Sequence, residues 1–106
     1  MKEVQNVMVR QTVNAYEVMF IMKPFEEEEA EATIAKFEKL ITDNNGKLEK
    51  TDRWGKKRLA YEIDNYNDGL YVLITFNAVV ECIKELDRVM RIDENVLRHM
   101  IIRKGN

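Results

Sequence analysis

Arg53, Lys56, Lys57 and Arg58 put four cations within six residues, interrupted only by Trp54 and Gly55 and preceded by Asp52. Side chains of these types meet phosphate oxygens through their charges, while an indole ring stacks on a base or packs against a protein. The same run also reads as a solvated loop beside a strand, with Trp54 covering the core edge, because runs of charge usually face water. Gly55 tilts the balance toward a docking surface, since a glycine next to a strand marks a bulge that redirects its neighbours. A second set of cations, Arg88, Arg91, Arg98, Arg103 and Lys104, is spread toward the C-terminal end. Arg88 and Arg91 have a structural explanation there as charges near the C-terminus of a helix.

Catalytic chemistry is poorly supplied. His99 is the only histidine and Cys82 the only cysteine. No serine or cysteine has a claim on His99 as a general base, and one His and one Cys on different elements make no metal-ligand set. His99 reads instead as a half-buried, hydrogen-bonded imidazole. The run Glu26 to Glu29 with Glu31 reads as a helix start, where negative charge is favourable, rather than a cation site. No catalytic residue, metal, cofactor or small-molecule substrate is expected. A single cysteine excludes an internal disulfide and a CxxC motif, which fits a reducing cytoplasm.

These residues must be held by a small scaffold. The chain has 106 residues, 45% of them apolar, enough for one modest core. Its 17 basic and 19 acidic residues leave a formal net charge of -2, so bulk charge names no partner and only the distribution is informative. The N-terminus lacks the apolar stretch of a signal peptide, and no window approaches the roughly 18 to 20 apolar residues of a membrane helix, so no membrane partner is expected.

Residues 1–14 show weak alternation without turn or cap signals and read as a poorly ordered extension; residues 15–106 read as a single domain. Tyr16 to Met22 is an aromatic and β-branched run ended by Pro24, which predicts a strand. Ala30, Ile34, Phe37 and Ile41 recur at spacings of four, three and four, an amphipathic helix that stops at Asn44-Asn45-Gly46. A second strand is expected from Lys47 to about Ile63, a turn over Asp64 to Gly69, and a third strand over Leu70 to Phe76. Asn77 would cap a second helix with an apolar stripe of Val79, Ile83, Leu86 and Met90 beside Cys82. Asp93-Glu94-Asn95 would lead into a last strand, Val96 to Arg103.

The order strand, helix, strand, strand, helix, strand gives an α+β fold of the ferredoxin-like split βαβ type: a four-stranded antiparallel sheet with both helices on one face. Alternation sends Val18, Phe20, Val72, Ile74, Phe76 and Ile101 to the helices. Met19, Ile21, Tyr71, Leu73, Met100 and Ile102 are left on the open face, which is too apolar for a face meant only for water. An RNA-recognition motif would place aromatics on the third strand differently, for here Gly69 is followed by Leu70, Tyr71, Val72 and Leu73. An acylphosphatase-like loop after the first strand would have to hold phosphate beside glutamates that repel it.

Trp54-Gly55-Lys56-Lys57-Arg58-Leu59-Ala60-Tyr61-Glu62-Ile63 resembles the characteristic stretch of the bacterial small-subunit ribosomal protein six family: Gly, basic residues, then Leu-Ala-Tyr-x-Ile. The opening Tyr16 to Pro24 and the ending Arg91 to Ile101 look like that family's first and last blocks. The resemblance implies a non-enzymatic ferredoxin-like domain that binds the central domain of small-subunit ribosomal RNA as a heterodimer with small-subunit protein eighteen. Carried over by position, Tyr16, Arg98, Met100 and Arg103 would lie toward RNA, with Arg91 of the second basic group added. Lys57, Arg58, Tyr71 and Leu73 would lie toward the protein partner, with Trp54 added. Family members usually start just before the Tyr-Glu pair, often with a basic residue, whereas Asn14-Ala15 and a longer lead precede it here. The rival reading is a homodimeric ferredoxin-like ligand-sensing domain that buries the same face against its own copy.

Overall fold

The computed structural model describes residues 12–104. Of the extension expected over residues 1–14, residues 1–11 lie outside the described residues, and Asn14 already pairs with Ala78. Six elements follow in the expected order: β1 (Asn14–Met22), α1 (Glu27–Asp43), β2 (Lys47–Ile63), β3 (Tyr66–Ala78), α2 (Val80–Ile92) and β4 (Val96–Arg103). They build a four-stranded antiparallel sheet in the order β2-β3-β1-β4. This is the ferredoxin-like split βαβ arrangement, with β2 and β4 at opposite edges.

In β1, Tyr16, Val18, Phe20 and Met22 are buried while the residues between them are half-buried, as a strand with one helix-covered face requires. Val72, Ile74 and Phe76 of β3 join them, and α1 adds Ala30, Ile34, Phe37 and Ile41. Phe20 meets Phe37 edge to face at 5.3 Å, tying the central strand to α1. Each large side chain buried in this way contributes about 1.5–3 kcal/mol.

α1 begins without a side-chain cap, and Glu27, Glu28 and Glu29 in its first turn meet the exposed N–H groups with negative charge instead. Its C-terminus closes through paired backbone bonds, Gly46 N–H to Ile41 at 2.8 Å and Asn45 N–H to Thr42 at 3.1 Å. Asn45 takes the left-handed conformation, with φ 67°. Gly46 has a different reason: a Cβ there would stand 2.8 Å from the Ile41 carbonyl oxygen.

Three details differ from expectation. The turn shrinks to Asp64-Asn65, both with positive φ (49° and 71°), so Tyr66 to Gly69 belong to β3. Two consecutive left-handed residues form the tight hairpin turn that matches strand twist, and Asp and Asn tolerate it. Asn77 does not cap α2: it pairs with Ala15 and Lys47, its amide donates to Glu49 at 2.6 Å, and Val79 is the cap residue. The buried stripe of α2 is Cys82, Leu86 and Met90, with Ile83 at its flank.

The short turn makes the β2–β3 ribbon long. β1 stops pairing with β3 at Met22–Leu70, whereas β2 continues to pair down to Ile63–Tyr66, so the tip projects past the sheet. Replacing Asn65 with Val forces a β-branched side chain to positive φ and should cost about 1–2 kcal/mol in urea unfolding, whereas Asn65→Gly should cost nothing.

Candidate nucleic-acid interface

The register of β1 determines what lies side by side on the open face. Met19 stands between Leu73 and Met100, Ile21 between Tyr71 and Arg98, and Glu17 between Thr75 and Ile102. Met100, on the edge strand, is 56% exposed. The projecting tip folds over one end of this surface. Leu59 is only 7% exposed although it belongs to the hairpin's outer strand, and Ile21, Leu59, Tyr61, Tyr71 and Arg98 share one shallow hollow. Gly69 allows this closeness: a Cβ there would stand 2.4 Å from the Ile21 side chain and 3.4 Å from that of Leu59. The Arg98 guanidinium lies over the Tyr61 ring, 5.3 Å from its centroid.

The pairing of β2 with β3 slips by one residue between Arg53 and Gly55, leaving Trp54 as the extra residue of a bulge, 45% exposed, with Gly55 at φ 85°. A left-handed glycine at a bulge is what such a kink requires. The bulge divides the basic run. Arg53 turns to the helix side and grips Glu31 with two bonds, at 2.6 and 2.8 Å, so its charge is paired within the chain. Lys56, Lys57 and Arg58 form no ion pair with a carboxylate among the described residues. Lys57 pairs with Gly69 and shares the side of Tyr71; Arg58, opposite Asp68, points the other way at the same edge.

The candidates assigned to RNA come together around β4 from both of its faces. Arg98 and Met100 lie on the open face, whereas Arg103 is registered with Tyr16 on the helix side. Tyr16 itself is buried and stacks on Phe76 at 6.0 Å, offering only its rim to a hollow shared with Asp87, His99 and Arg103. Arg91, on α2, is paired with Asp87. Arg98 and Arg103 face no carboxylate among the described residues. The candidates assigned to a protein partner gather toward the β2 edge: Trp54, Lys57 and Arg58 along the ribbon, Tyr71 and Leu73 on the open face beside it. Sequence reasoning did not bring Tyr61 and Leu59 to this surface, because nothing local tells a ribbon tip which way to fold.

A family model described as ribosomal protein S6 matches residues 15–103, from β1 through the end of β4. The chain belongs to the ribosomal protein S6 family. Small ribosomal subunit protein bS6 of Desulforudis audaxviator is 52% identical over 90 residues, which cover 84% of this chain and 96% of that protein. The protein of the same description from Clostridium acetobutylicum is 46% identical over 91 residues, 85% of this chain and 96% of its own. The crystal structure of 30S ribosomal protein S6 from Thermotoga maritima matches with a TM-score of 0.83 and 33% identity, covering 88% of this chain and 89% of that one. Family membership agrees with the resemblance carried by the three sequence blocks, and the match begins after the lead of residues 1–14.

The single histidine has a structural role in this family member. His99 Nε2 lies 2.8 Å from Asp87 Oδ1, tying β4 to α2. That hydrogen bond, aided by the nearby Arg91 charge, holds the Asp87 carboxyl below the usual carboxylate range. Cys82 is fully buried and burial pushes its thiol up, away from reactivity. Among the described residues no three His, Cys, Asp or Glu side chains converge as a metal site would need. No helix among them is long and apolar enough to cross a membrane. Because the Asp87 pKa is depressed on folding, its contribution to stability is complete above the unfolded value near 4 and is lost as pH falls through the folded value. Asp87→Asn should therefore destabilise by up to about 1 kcal/mol at pH 6, and the gap from wild type should narrow as pH falls through the folded value, measured by urea unfolding at decreasing pH.

Proposed function

We propose that this chain is a non-catalytic constituent of the small ribosomal subunit in the cytoplasm. It binds the central domain of small-subunit ribosomal RNA around the β4 edge and joins small-subunit protein eighteen on the β2 side of the open face. The observation that carries this reading is the arrangement of the surface: an apolar sheet face lies between two edges whose cations, Lys57 and Arg58 on one and Arg98 and Arg103 on the other, have no carboxylate partner among the described residues. An apolar face of this kind asks for a protein, and cations held ready at an edge ask for phosphate. The relatives described as small-subunit ribosomal proteins support the same assignment.

The division of labour follows the two edges. Arg98 and Arg103 meet phosphates, Arg91, paired with Asp87, adds positive charge on the same side, Met100 and the Tyr16 rim pack against sugar or base, and Trp54, Lys57, Arg58, Tyr71 and Leu73 hold the protein partner. The site stabilises no transition state; it fixes the shape of a folded RNA through its backbone.

Titrating the purified chain with protein eighteen and a central-domain RNA fragment at several salt concentrations tests this. RNA affinity should require the partner and fall steeply with salt, because each phosphate contact releases counterions. Arg98→Ala should weaken RNA retention and make the slope of log affinity against log salt shallower by about one. A tight homodimer indifferent to both additions would overturn the reading.

A further inference from the structure

The projecting ribbon needs an anchor, because two strands alone are marginally stable in water. Beyond Leu70 it has no neighbour in β1. Leu59 packs near Ile21, and two ring contacts hold the tip from opposite sides: Lys23 over Tyr66 at 5.9 Å and Arg98 over Tyr61 at 5.3 Å. The second contact spans the molecule, since Tyr61 belongs to β2 and Arg98 to β4, the two edge strands.

Arg98 is held differently from the arginines that are paired within the chain. Arg53, Arg88 and Arg91 direct N–H groups at Glu31, Glu85 and Asp87. Arg98 rests on a ring, which restrains the guanidinium without engaging a carboxylate. Its fork of donors stays matched to a phosphate, and part of the entropy cost of ordering a long side chain is met before RNA arrives. Tyr61 is 59% exposed, so its ring is not part of the core and meets Arg98 at the surface.

We infer that Tyr61 is a positioning residue for RNA binding: it orients Arg98 toward phosphate and thereby links the ribbon tip, on the protein-partner edge, to the RNA edge. This rests on the proposed function for what the two edges bind. A partner that grips Lys57 and Arg58 steadies the tip, the tip steadies Tyr61, and Tyr61 steadies Arg98. Binding at one edge then favours binding at the other through a physical contact.

The test is a double-mutant cycle in the full-length chain, read as affinity for the central-domain RNA fragment with protein eighteen present. Tyr61→Leu should weaken RNA binding by about two- to fivefold, the size of an exposed cation–π contact. Tyr61→Phe should restore it, and Tyr61→Leu should have no further effect once Arg98 is Ala. In the absence of RNA, ring-current shifts of the Arg98 side-chain protons by NMR should be present in wild type and Tyr61→Phe and absent in Tyr61→Leu, while the amide spectrum of the core stays unchanged. Equal loss from Tyr61→Leu in the wild-type and Arg98→Ala backgrounds would overturn the inference, as would missing ring-current shifts in wild type. Failure of wild-type protein to bind the fragment at all, with the ring-current shifts intact, would instead refute the proposed function, and this inference with it.

Discussion

The alternation of β1 is the constraint on which the other features depend. It is paired on both sides, with β3 and with β4, so its register determines which residues of three strands face the helices. A slip of one residue would turn Val18, Phe20 and Met22 toward water. At about 1.5–3 kcal/mol for each such side chain, that loss would be comparable with the whole net stability of a small domain, about 5–15 kcal/mol. The apolar open face is the other half of the same alternation. Met19 and Ile21 cannot be moved inside without exposing the core, so their face is settled as soon as the core forms.

The strand order then separates two sets of cations in space. β2 and β4 are the edges, and each carries cations that have no carboxylate partner among the described residues. Several other charges are engaged within the chain: Lys36 with Asp93, Lys39 with Asp43, Arg88 with Glu85. Exposed pairs like these add little stability. Among the described residues, the cations without a carboxylate partner include Lys56, Lys57 and Arg58 on the ribbon and Arg98 and Arg103 on β4. The bulge at Trp54 contributes by switching sides: Arg53, before it, stands opposite Val72 on the helix side and pairs with Glu31, while Lys57, beyond it, stands opposite Gly69 on the side of Tyr71.

Much of this was legible in the residues. The six elements, the order that defines the sheet, and the inward and outward sets of β1 and β3 followed from periods of two and of 3.6. The end of α1 and the bulge at Gly55 followed from local backbone chemistry. The length of the hairpin did not: Asp64 to Gly69 are all good turn residues, and only strand pairing chooses the two that bend. Asn77 failed as a cap for a similar reason, since its place in the ladder and its bond to Glu49 outweigh a local preference. For the site, the basic run and the apolar face were visible, but not which cations are spent internally. Arg53 and Arg58 look alike in the sequence; one is held by Glu31, 22 residues away, and the other is not. The Tyr61–Arg98 contact joins opposite edges and leaves no local trace.

The central claim is that the two edges serve different partners, RNA at β4 and protein at β2. Amide hydrogen exchange, measured on the free chain, with protein eighteen alone, and with protein eighteen plus the RNA fragment, tests it most directly. The account predicts that the partner alone slows exchange in the ribbon and in β3 around Tyr71 and Leu73, and that RNA adds protection along β4 from Arg98 to Arg103. Protection of β4 by the partner alone, with RNA adding its effect at the ribbon tip, would contradict it.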